Sequence, residues 1–163
     1  MDSRAIAAAI EERYPSPPIE LKPPVEEKVR LDFIEAFTEL QPVYVPTVYR
    51  RLINEASKPY FRETREAHFG KTLEQVEEQN PTEAAFAKAT PALTRLTGHL
   101  KENGGPFFEG QQVNFFDIVY AGMLLFFKDM GEDIWGLLLK STGEGEVHEK
   151  FLEAMNPWTK KND

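Results

Sequence analysis

The chain has 163 residues, 41% of them hydrophobic and 28% charged, with no cysteine and a formal net charge of −8. That length fits one domain with a substantial core, and the absence of cysteine excludes disulfides, thiolate metal sites and a cysteine nucleophile. The acidic balance argues against nucleic acid and against anionic membrane surfaces as partners, because both need a basic face.

Residues 3 to 14 read as one short helix, with Ser3 as N-cap and Ile6 and Ile10 one above the other at i, i+4. The next segment, 15–24, holds five of the twelve prolines and prefers extended geometry, so it reads as a linker between two units. From Val25 the apolar positions Val29, Phe33, Phe37, Leu40, Tyr44, Val48 and Leu52 follow in steps of three and four. They predict one long helix, kinked or broken at Pro42 and Pro46. A second helix is expected over Pro59 to Glu78. A third starts at Asn80-Pro81-Thr82-Glu83, with Asn80 as N-cap, bends near Pro91 and stops at Asn103-Gly104-Gly105.

The most informative stretch comes next. In Val113-Asn114-Phe115-Phe116-Asp117-Ile118 the Asn114 side chain is placed to accept from the first turn, and Asp117 to reach back to the Asn114 N–H. Val113 and Ile118 occupy the positions of a hydrophobic staple. Ile118 to Phe127 then carries no charge over ten residues, which predicts a helix buried on nearly every side. Ten apolar residues are about half of the ~20 a membrane-spanning helix needs. Shorter helices follow, around Glu132 to Leu139 and Val147 to Met155. No strand pattern stands out, and the fold class expected is all-α.

Three segments carry a family resemblance. The loop Gly105-Pro106-Phe107-Phe108-Glu109-Gly110 followed by the capped helix with Asp117 resembles the C-terminal half of cytosolic glutathione transferases. Asp2-Ser3-Arg4-Ala5-Ile6 with Tyr14-Pro15 resembles the segment that closes the family's thioredoxin-like half. Pro59-Tyr60-Phe61-Arg62-Glu63-Thr64-Arg65-Glu66 with Phe69-Gly70 resembles a fungal subgroup related to aryl-ether-cleaving members. The resemblance implies a remnant last helix of the thioredoxin-like domain at 1–14, a linker at 15–24 and a helical domain at 25–163. In the family the thioredoxin-like half comes first and carries the catalytic Ser, Tyr or Cys. This sequence is expected to open at the last helix of that half, so no catalytic residue is assigned and no conjugation is expected from the chain alone.

The resemblance implies that Asp2 and Ser3 bind the γ-glutamyl end of glutathione, which is the co-substrate and not a resident cofactor. A Ser at a helix N-terminus suits a carboxylate, but Ser3 is equally read as a plain cap. Tyr44, Tyr49, Tyr60 and Phe61 stand, by the same resemblance, where the family builds its pocket for a hydrophobic co-substrate; aromatics at helical spacing are also ordinary core. Arg50, Arg51, Arg62 and Arg65 form a basic cluster that suits an anionic ligand or a solvated face. The structural cap is Asn114 with Asp117. His68, His99 and His148 share no ligand spacing, so no metal site is expected. Two functions stay open: the co-substrate half of a cytoplasmic glutathione transferase, and a non-catalytic helical domain that binds hydrophobic ligands, dimerises or docks on a partner.

Overall fold

The computed structural model describes residues 3–16 and 18–159. Among these the chain is all-helical: α1 (Ser3–Arg13), α2 (Pro24–Glu39), α3 (Gln41–Arg51), a 3-10 turn (Glu55–Ser57), α4 (Lys58–Phe69), α5 (Leu73–Gln79), α6 (Thr82–Lys101), α7 (Phe115–Asp129), α8 (Glu132–Thr142), α9 (Gly145–Ala154) and α10 (Asn156–Thr159). An isolated bridge pairs Phe107 with Gly110. No helix among the described residues is long and apolar enough to cross a membrane.

The expected long first helix is two. The break falls at Leu40, whose buried side chain and N–H to Ala36 O close α2 while its carbonyl accepts from Val43 and Tyr44 to start α3. Pro42 then sits in the first turn of α3, where no N–H is needed. Pro46 lies inside α3 and does not interrupt it.

The expected helix over Pro59 to Glu78 is also two. Gly70 takes the left-handed conformation (φ 65°, ψ 21°) and ends α4. Thr72 and Gln75 then form a reciprocal capping box, with bonds of 3.2 and 3.0 Å, that opens α5. Asn80 is not the cap of α6, because its Nδ2 donates to Val76 O (2.8 Å) and closes α5 instead. Pro81 takes the cap position, and α6 runs through Pro91 without interruption.

Helix α6 packs against α2 on one side and α8 on the other. Its Ala85, Ala89 and Ala92 are buried with Val25, Val29 and Ala36 of α2, and small side chains there bring two backbones close. Helix α7 joins the core through Phe116, Tyr120, Met123, Leu124 and Phe127. It is not buried on nearly every side: Ile118 and Gly122 are exposed, and Val119 and Phe126 are half-covered. The cause lies in the packing, since α2 and α3 leave one strip of α7 open.

Candidate functional site

That open strip is an aromatic cleft. Phe33 and Phe37, one turn apart on α2, stack at 6.0 Å with ring planes 6° apart. Tyr44 of α3 lies 4.6 Å from Phe37, and Phe126 of α7 meets Tyr44 edge-on at 5.6 Å. Phe33, Phe37, Val119, Gly122, Met123 and Phe126 line a cleft of about 270 Å³. Gly122 holds it open: a Cβ built there meets nothing within 4 Å. The wall is almost wholly apolar, which suits a flat hydrophobic ligand or another apolar surface.

The four aromatic residues singled out in the sequence divide among three settings. Tyr44 is half-buried at the rim of the cleft, where burial raises its phenol above the usual value. Tyr49 and Phe61 stack on each other (6.4 Å) at the α3–α4 junction. There Arg62 lies over the Tyr49 ring at 4.7 Å and Arg65 over Phe61 at 5.1 Å, favourable cation–ring contacts. Tyr60 is 74% exposed on α4. The arginines are engaged: Arg50 with Glu77, Arg51 bidentately with Asp133 (2.7 and 2.8 Å) and with Met130 O, Arg62 with Glu66 and Glu74. Ser3 opens α1, and Asp2 lies outside the described residues. No group of three or more His, Cys, Asp or Glu among the described residues could hold a metal ion.

The cap does more than close a helix. Asn114 Oδ1 accepts from the N–H groups of Phe116 (2.8 Å) and Asp117 (3.2 Å), and Asp117 Oδ2 accepts from Asn114 N (2.9 Å). The other oxygen of Asp117 accepts from Phe108 N (3.0 Å), fastening the preceding loop to the helix. Burial pushes the Asp117 carboxyl up to about 6, against the downward pull of those two N–H groups. Gly105 lets that loop fold back on itself, since a Cβ there would lie 2.1 Å from Gly110 O.

Sequence reasoning missed a buried polar chain across four helices. Tyr120 OH lies 2.9 Å from His148 Nδ1, and His148 Nε2 lies 2.8 Å from Thr97 Oγ1, which is 3.0 Å from Thr142 O. Counting donors assigns the tautomer. With Tyr120 donating to Nδ1, Nε2–H donates to Thr97 and Thr97 donates onward to a carbonyl; the reverse order leaves the buried Tyr120 hydrogen without an acceptor. Burial drives His148 down to about 4 and raises Tyr120, so both are neutral near pH 7. A histidine near the C-terminus with no local partner gives no sign of this in the sequence.

Comparison with known proteins adds the family. No curated protein matches the chain. A family described as the glutathione S-transferase C-terminal domain matches residues 32–158, a span that contains α3 to α9, the aromatic cleft and the Asn114–Asp117 cap. The chain belongs to the glutathione S-transferase C-terminal domain family.

Proposed function

We propose that the chain supplies the hydrophobic co-substrate half of a cytoplasmic glutathione transferase, with residues 1–14 completing a thioredoxin-like half, 15–24 as linker and 25–163 as the helical domain. The observation that carries this reading is the open aromatic cleft between α2 and α7, faced by half-covered rings in a domain whose other phenylalanines are mostly buried. Phe33, Phe37, Phe126 and Tyr44 hold the flat part of the co-substrate; Tyr49, Tyr60 and Phe61 lie farther along α3 and α4 and meet its larger substituents. Asp2 and Ser3 contact the γ-glutamyl end of glutathione. The reaction is attack of the glutathione thiolate on an electrophilic carbon, and the group that lowers the thiol pKa comes from the thioredoxin-like half. Resemblance to the fungal subgroup around Pro59 to Gly70 makes aryl ethers the narrower substrate class.

Titration with an apolar naphthalene dye tests the cleft. Saturable binding displaced by a diaryl ether, and weakened at least tenfold in Gly122→Leu, is the expected result. Dye binding unaffected by Gly122→Leu would overturn the assignment.

A second reading, docking or homodimer formation, is favoured by Ile6 and Ile10 on α1 and Leu31 and Ile34 on α2, all of them exposed. Sedimentation across a concentration series separates the two: a monomer that binds dye supports the first reading.

A further inference from the structure

The fold sorts the basic cluster of Arg50, Arg51, Arg62 and Arg65 into three paired groups and one that is left over. Arg50 is paired with Glu77, Arg51 with Asp133, and Arg62 with Glu66 and Glu74. These bonds also use up Glu66 of α4 and both Glu74 and Glu77 of α5, and Leu73 N (3.1 Å) takes Glu66 a second time. Arg65 alone of the four bonds no carboxylate among the described residues. It is exposed, yet its guanidinium is seated 5.1 Å from the ring centre of Phe61, which is itself stacked on Tyr49 at 6.4 Å. A cation resting on a ring has given up part of its freedom and still keeps its N–H donors.

Tyr44 joins this guanidinium to the aromatic cleft. Its ring packs on Phe37 at 4.6 Å and meets Phe126 at 5.6 Å, and both of those rings are cleft walls. Helices α3 and α4 touch directly, and the Tyr44 phenol lies within the field of Arg65. Burial raises that phenol above its usual value, while the Gln41 side chain and then the Arg65 charge pull it down. The phenol stays protonated at pH 7, so this end offers an O–H as well as the guanidinium N–H groups. None of the residues lining the cleft is charged. An apolar slot thus ends at a tyrosine rim and, beyond it, at a cation with no internal carboxylate.

Ligands of different charge meet these features differently. A wholly apolar compound fills the slot and leaves Arg65 to water. An aromatic cation is disfavoured, with Arg65, Arg62 and Lys58 all seated on rings at the α3–α4 junction. An aromatic anion keeps its charged edge at the exposed rim, where a guanidinium can meet carboxylate or sulfonate oxygens with two parallel N–H bonds. Resting on the reading that this cleft receives the co-substrate, we propose that the co-substrate is an aromatic anion. Its ring lies against Phe33, Phe37 and Phe126, and its carboxylate or sulfonate lies on Arg65, past the Tyr44 rim. Arg65 selects among co-substrates by charge and takes no part in the thiolate attack.

Two dyes built on one frame test this: anilinonaphthalene sulfonate and its neutral parent, phenylnaphthylamine, each titrated into the full chain at low salt and pH 7. Arg65→Gln is expected to weaken the sulfonate about fivefold and to leave the parent unchanged, with Arg65→Lys in between. Gly122→Leu is expected to weaken both dyes. Arg65 is exposed and holds no ion pair, so its variants are expected to fold. Equal sulfonate affinity in wild type and Arg65→Gln, with the parent still bound and still sensitive to Gly122→Leu, would overturn this inference and leave the cleft assignment standing. Equal weakening of both dyes in Arg65→Gln would overturn it as well, since the arginine would then only hold α4 in place. If neither dye responds to Gly122→Leu, the cleft assignment falls and the inference falls with it.

Discussion

Tyr120 and Phe37 are aromatic residues of neighbouring helices that meet opposite fates. Around Tyr120 the rings of Phe108 and Phe151 close in at 5.2 and 5.4 Å, Phe116 packs on Phe108 at 5.2 Å, and the Tyr120 hydroxyl is bonded to the buried His148. Around Phe37 the rings of Tyr44, Phe33 and Phe126 gather at 4.6, 6.0 and 6.4 Å, yet all four are only half-covered and the cleft beside them carries almost no polar group. Aromatic density alone therefore does not separate core from binding surface. What separates them is whether the polar atoms are consumed internally and whether a side chain exists to fill the last gap, as at Gly122 it does not.

The closed region is the easier to break. Asp117→Ala strands the buried N–H groups of Phe108 and Asn114, each worth about 1–3 kcal/mol when unpaired. The expected loss is about 3 kcal/mol, seen as a fall of about 10 °C in Tm, while dye affinity of the folded fraction is unchanged. A Tm within 2 °C of wild type, on the order of 1 kcal/mol or less, would show that the loop and helix are not fastened there.

Acid sharpens the contrast. His148 has its folded pKa lowered from 6.5 to about 4, so its stabilising effect is complete above pH 6.5 and is lost as pH falls toward 4. Asp117 works in the opposite sense. Its folded pKa is raised from 3.8 to about 6, so its ionisation costs stability above pH 6, and that cost fades as pH falls through 6 toward 3.8. The two offset each other between pH 6 and 4, and wild-type stability is expected to change little across that window on their account. His148→Asn removes one partner of the pair. The variant is less stable at pH 7, and its deficit against wild type shrinks by on the order of 2–3 kcal/mol on acidification to pH 4. Urea denaturation at several pH values measures it; a deficit that does not vary with pH would show that His148 titrates freely.

The smallest effect belongs to the open region. Gly122→Ala meets nothing and raises helix propensity, so it is expected to gain about 1 kcal/mol while only narrowing the cleft. A destabilised Gly122→Ala would mean that the strip is covered, and the contrast between the two regions would fall.

The sequence exposed local structure well and distant partners poorly. The Asn114–Asp117 cap spans three residues and was legible in full, because helix geometry sets what each side chain can reach. The same kind of signal, Gly70 followed by Thr72-x-x-Gln75, was present between α4 and α5 but was hidden by apolar positions that continue at helical spacing. Tyr44, Tyr49, Tyr60 and Phe61 are close in sequence, but Tyr44 and Tyr49 are five positions apart on α3 and Tyr60 and Phe61 adjacent on α4, so helix geometry turns each pair to different settings. Phe33, Phe37 and Phe126 were legible as core stripes only, since nothing local reveals which strip of α7 remains uncovered.

The tautomer at His148 gives the chain a built-in reporter. One imidazole hydrogen, held at Nε2 between α6 and α9, is shut off from solvent by every helix that touches it. It leaves only when those helices part, so the lifetime of its resonance times the opening of the bundle itself, independently of fraying at either end.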